Sequence, residues 1–123
     1  MLKERIARHC AAGESCSRII LQAAAEEYGF SLPQELLDAC SGINGGFGIS
    51  GMCSGLVAAV MVLGLLFDEE EVKLRRILFF MQAQERFGAL DCCRLSALFG
   101  EDCLRLLEEI AEILQDVINI ESL

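Results

Sequence analysis

The segment from Gly42 to Phe67, GINGGFGISGMCSGLVAAVMVLGLLF, carries no charge, in a chain of which 24% of residues are charged. The fold must either bury this stretch or carry it across a membrane. Gly42, Gly45, Gly46, Gly48 and Gly51 make up half of its first ten residues, and Met52 to Phe67 reads as one apolar helix of sixteen. A spanning helix needs about 20 apolar residues. A glycine-rich loop is a poor extension of one, and the flanks lack the basic bias and aromatic belt of a span. The stretch is therefore predicted to be a buried central helix, with Cys53 where loop becomes helix, and no membrane span is expected.

The length, 123 residues, fits a single domain over residues 1–123, large enough to bury roughly two thirds of its unfolded surface. No stretch alternates with period two. With one proline and 54% hydrophobic residues in long 3.6-period patterns, the chain is predicted to be all-α. The expected architecture is an irregular bundle of five to seven helices around the central one, residues 52–67.

Punctuation residues set the helix boundaries. Residues 1–12 form a short helix or a frayed arm, broken at Gly13. Ser15 can cap a helix over Cys16 to Tyr28 that stops at Gly29. Ser31 and Gln34 can form a capping box around Pro33, opening a helix that ends near Ser41. Ser50 or Gly51 is expected to cap the central helix. Asp68 and Glu71 open a helix from Glu69 to Phe87. Its stripe of Leu74, Ile77, Leu78 and Met81 is expected to face inward, with Lys73, Arg75 and Arg76 in solvent. Asp91 caps a short helix, Cys92 to Phe99. The last helix, about Glu101 to Ile120, carries the stripe Leu106, Leu107, Ile110, Ile113, Leu114 and Val117.

On this map the seven cysteines fall into two groups. Cys16, Cys53, Cys92, Cys93 and Cys103 lie in the first turns of helices, where free N–H groups and the positive dipole end favour a thiolate. Such settings lower a thiol pKa from about 8.5, sometimes to 3.5–7.5. Cys10 and Cys40 lie near helix ends and read as small buried hydrophobes. The N-terminus, MLKERIARHC, has charges where a signal peptide needs an apolar run. The expected compartment is the reducing cytoplasm, where cysteines serve metals or redox chemistry more often than structural disulfides. An odd cysteine count also argues against a complete disulfide framework. There is no C-x-x-C pair, so neither a thioredoxin motif nor a zinc ribbon is present.

At these residues the chain resembles the proteins named for the pattern C_GCAxxG_C_C, small helical chains with four characteristic cysteines. The first would be Cys16, in Glu14-Ser15-Cys16-Ser17-Arg18. The glycine-rich approach is Gly42 to Gly48, and the central motif is Cys53-Ser54-Gly55-Leu56-Val57-Ala58. Ser54 and Gly55 keep the small size after Cys53. The third would be Cys93, or its extra neighbour Cys92, and the fourth Cys103. The resemblance spans about Gly13 to Cys103 and implies a redox or metal-linked role.

Three classes follow. In the first, Cys16, Cys53, Cys93 and Cys103 form exchangeable disulfides and pass electrons to a redox partner protein. In the second, the same four thiolates hold zinc or an iron–sulfur cluster. In the third, the cysteines only pack, in a helical interaction module. Other motifs carry less. Gly46-Phe47-Gly48-Ile49-Ser50-Gly51 has the G-x-G-x-x-G form but lacks the preceding strand of a dinucleotide fold. His9 reads as a surface residue, and Glu108, Glu109 and Glu112 as a solvated helix face. A net charge of −9 repels a phosphate backbone, so no nucleic-acid partner is expected. The apolar surplus suits a homodimer.

Overall fold

Seven α-helices account for most of residues 2–121, the part of the chain that this computed structural model describes. They are α1 (Leu2–Ala11), α2 (Cys16–Tyr28), α3 (Gln34–Ala39), α4 (Ser54–Leu66), α5 (Glu69–Phe87), α6 (Cys92–Leu98) and α7 (Cys103–Asn119). No strand occurs among the described residues beyond an isolated antiparallel bridge between Met52 and Asp91. The all-α expectation holds.

Helix α4 is the centre of the bundle. It packs against α2, α5 and α7, and Leu56, Ala58, Ala59, Val62 and Leu63 are wholly buried. A helix apolar on every side must be surrounded in this way. Small residues set how closely the neighbours come. A Cβ on Gly55 would lie 3.1 Å from Leu107 Cδ2 and 3.2 Å from Ile110 Cδ1, so α7 seats against the first turn of α4. The stripe expected on α7 is buried as a whole. No helix among the described residues is long and apolar enough to cross a membrane.

Several boundaries fall where the punctuation puts them. Helix α2 runs from Cys16 to Tyr28 and stops at Gly29 in the left-handed region. Asp68 accepts from the Glu71 amide at 2.9 Å, and Asp91 from the Arg94 amide at 3.0 Å. Others differ. Ser31 does not cap α3; Pro33, extended at ψ 147°, is the N-cap, and the helix begins at Gln34. The central helix starts at Ser54 with Cys53 as N-cap, beyond both Ser50 and Gly51, because the glycine loop stays irregular through Gly51. Residues 2–11 form a docked helix with Leu2 and Ile6 buried. Arg5 pairs with Glu27 at 3.1 Å, Arg8 with Glu26, and Lys3 with Glu112.

The face of α5 is the main correction. Leu74, Ile77 and Met81 are exposed, at 49, 55 and 63%. The buried row is Arg75, Phe79, Ala83 and Phe87. These four recur at i+4 spacing and form an inward ridge. Arg75 belongs to it because its guanidinium serves the end of α7, donating to the carbonyls of Val117 at 2.6 Å, Ile118 at 3.4 Å and Glu121 at 3.4 Å. It also contacts Glu71 at 3.3 Å and lies 4.1 Å from the centre of the Phe67 ring. The last carbonyls of a helix have no partner within it, and Arg75 supplies one from a neighbouring helix.

Candidate cysteine site

Four cysteines stand at four helix starts. Cys16, Cys92 and Cys103 are the first residues of α2, α6 and α7, and Cys53 is the N-cap of α4. The loops between the helices bring these starts together. Gly46 and Gly51 cross so closely that a Cβ on Gly46 would lie 2.5 Å from the nitrogen and oxygen of Gly51. The Gly51 amide donates to the Gly46 carbonyl at 2.8 Å, closing the turn Gly46–Ser50. That turn holds Phe47 and Ser50 at φ 63° and 54°, conformations an L-residue adopts at a cost.

The closed loop is then fastened on two sides. The buried Ser17 hydroxyl, one residue after Cys16, donates to Asn44 Oδ1 at 2.7 Å. On the other side, the Cys53 amide donates to the Leu90 carbonyl at 2.9 Å and the Cys92 amide to the Gly51 carbonyl at 2.8 Å. This pair of backbone bonds sets the cysteine at the start of α4 beside the one at the start of α6. Gly55 draws α7 inward, and its absent Cβ would lie 3.6 Å from Cys53 Sγ.

The electrostatics link the thiols of these helix starts. Burial pushes the Cys16 thiol up to about 12. After burial, the causes are the Cys103 charge, the Cys53 charge, a hydrogen bond with Cys103, and the Cys92 charge. Burial also raises Cys53, with Cys92 and Cys103 adding to the shift and the amides of Leu56 and Gly55 opposing it. Those amides act on the sulfur without forming a close capping hydrogen bond. The expectation that a helix start lowers these thiols is thus reversed at Cys16 and Cys53. Loss of water around the sulfur outweighs the helix N–H groups.

Cys93, expected as the third member, is exposed and is not among the groups acting on Cys16 or Cys53; its neighbour Cys92 is. Adjacent residues on a helix point about 100° apart, so only one of the two can face the cluster. Cys103 is exposed, Cys16 and Cys92 are half-buried, and Cys53 is 5% exposed. Cys40 is buried in the core with its thiol directed at the Leu36 carbonyl at 3.6 Å, as a packing cysteine would be. Cys10 is half-buried near the end of α1. The backbone clamp at Gly51 and Leu90 has no signal in side-chain patterns, and sequence reasoning missed it.

No group of three Cys, His, Asp or Glu side chains among the described residues is placed to hold a metal ion. His9 is engaged elsewhere, with Nδ1 2.5 Å from Glu14 and Nε2 3.0 Å from Glu26. Glu112 pairs with Arg86 at 3.2 Å and with Lys3.

No curated protein and no solved structure matches this chain. A family model does, over residues 14–117, under the description "Putative redox-active protein (C_GCAxxG_C_C)". That match takes in all four helix-start cysteines, the glycine loop and most of α7, and the chain belongs to this family.

Proposed function

We propose that the chain is a thiol–disulfide redox protein working through Cys103, Cys16, Cys53 and Cys92, with Cys92 taking the place expected for Cys93. The observation that carries this reading is the backbone clamp that sets the cysteine starts of α4 and α6 side by side, with the charges of Cys53, Cys92 and Cys103 bearing on Cys16 at the start of α2. Cysteines that only fill space need not meet.

The exposures suggest an order of events. Cys103 is the member open to solvent, so it meets the partner. Its thiolate attacks one sulfur of an oxidised partner protein's disulfide. A mixed disulfide forms, and the partner's other sulfur leaves as a thiolate. Cys16, whose thiol the Cys103 charge helps to hold up, then loses its proton and attacks the Cys103 sulfur. The partner's second thiolate leaves, and a Cys16–Cys103 disulfide remains. Two electrons and two protons pass from the dithiol to the partner. The high pKa of Cys16 keeps it protonated until a neighbouring sulfur has lost its charge to the mixed disulfide. Cys53 and Cys92 form a second, more enclosed pair at the backbone clamp.

The test equilibrates the protein with glutathione redox buffers and counts free thiols. Wild type should lose two thiols in a reversible two-electron step before any further loss. Cys103→Ser and Cys16→Ser should abolish that step, and Cys93→Ser should leave it in place. If the step survives in both Cys16→Ser and Cys103→Ser, or if no reversible step appears, the proposal fails.

A further inference from the structure

A cavity of about 510 Å³ opens between the start of α2 and α3, lined by residues that include Glu14, Ser15, Arg18, Asp38, Ser41 and Asn44. None of the seven cysteines lines it. Its volume falls within the range of small-molecule sites. Two of its lining residues carry buried polar atoms without a hydrogen-bond partner, Ser15 Oγ and Arg18 Nε. Leaving a buried donor unpaired costs about 1–3 kcal/mol, and folded proteins pair nearly all such groups. Ser15, the N-cap of α2, and Arg18 in its first turn both line this cavity.

The rest of the lining is largely engaged within the protein. Glu14 is held by His9 at 2.5 Å. The Ser41 hydroxyl donates to the Asp38 carbonyl at 3.0 Å. Asn44 Oδ1 accepts from Ser17 at 2.7 Å, which leaves its amide N–H groups as donors. Asp38 Oδ1 accepts from Gln34 at 2.9 Å, and its second oxygen stays available. The cavity thus pairs donors on the α2 side with a carboxylate from α3. A simple anion would meet Arg18 but be repelled by Asp38. A simple cation would meet the reverse.

We propose that this cavity binds a small zwitterion of the α-amino-acid class. Its carboxylate meets the Arg18 guanidinium, which is suited to two-point contact with such a group, together with Ser15 and the Asn44 amide. Its ammonium meets Asp38.

The full-length protein is titrated separately with L-alanine, acetate and methylammonium while the backbone amide NMR spectrum is followed. Alanine should give saturable shifts at Ser15, Arg18 and Asn44 with a Kd of roughly millimolar or tighter. It should bind at least about tenfold more tightly than acetate or methylammonium, a gap of about 1.4 kcal/mol. Arg18→Gln should weaken alanine binding about tenfold or more. Asp38→Asn, at an exposed residue, should make alanine no better than acetate, and it carries the test if Arg18→Gln does not fold. Acetate binding as tightly as alanine, equal alanine binding in the folded variants, or no shift up to about 50 mM alanine would overturn the proposal.

Discussion

Replacing Gly46 by alanine should be far more costly than replacing Gly48, although both residues have positive φ, 63° and 77°. An L-residue in the left-handed region costs about 1–2 kcal/mol wherever it stands. At Gly48 nothing lies within 4 Å of the added Cβ, so that strain is the whole cost. At Gly46 the Cβ would sit 2.5 Å from the nitrogen and oxygen of Gly51, closer than carbon can approach. Those atoms belong to backbone, which cannot rotate aside. Relief requires parting the two strands of the loop and losing the 2.8 Å bond from the Gly51 amide to the Gly46 carbonyl, worth about 0.5–1.5 kcal/mol. Overpacking adds about 1–3 kcal/mol. The sum is about 2.5–6.5 kcal/mol for Gly46→Ala, against about 1–2 kcal/mol for Gly48→Ala. Native domains have about 5–15 kcal/mol in all. Urea unfolding followed by circular dichroism measures both. Because the Gly51 carbonyl receives the Cys92 amide, Gly46→Ala should also disturb amide resonances at Cys53 and Cys92, which Gly48→Ala should leave in place. Equal losses of stability in the two variants would refute the crossing.

Two further outcomes follow from the packing and the thiol electrostatics. Arg75→Met keeps the buried stem but strips the donors from the end of α7, and should cost about 3–5 kcal/mol in urea unfolding; a loss under about 1 kcal/mol would show that those carbonyls do not depend on Arg75. With the Cys16 thiol pushed up to about 12, an unfolded chain deprotonates this residue first, near its ordinary value. Its protonated form therefore favours the fold fully below pH about 8.5–9, and that share is lost as pH rises toward 12. Wild type should lose stability over that window more steeply than Cys16→Ala. Iodoacetamide should also label Cys103 and Cys93 well before Cys16 at pH about 8, as read by peptide mass spectrometry; prompt labelling of Cys16 would contradict its burial.

What the sequence made legible divides along physical lines. Local signals worked: Gly29 and Gly88 stop α2 and α5, and Asp68 and Asp91 cap their helices through their own side chains. These depend on a few consecutive residues. The face of α5 was not legible, because two stripes compete there. Leu74, Ile77 and Met81 make a convincing apolar row, yet the row with Phe79 and Phe87 goes inward and takes Arg75 with it. The deciding partner is the end of α7, more than forty residues away along the chain. The cysteines show the same split. Their helix starts could be read from caps and glycines. The backbone bond from Cys92 to Gly51 has no counterpart in the side-chain pattern, and burial reversed the shift expected for Cys16 and Cys53.

The central claim is that the thiols at the starts of α2 and α7 meet. The most direct measurement is disulfide mapping after mild oxidation. The reduced protein is treated with oxidised glutathione, free thiols are blocked, and non-reduced peptides are identified by mass spectrometry. The account predicts that a peptide linking Cys16 to Cys103 dominates at low oxidant, joined at higher oxidant by a Cys53–Cys92 link, with Cys40 left free. First links that instead join Cys93 to Cys10, or that run between chains, with Cys16 and Cys103 both unlinked, would contradict it.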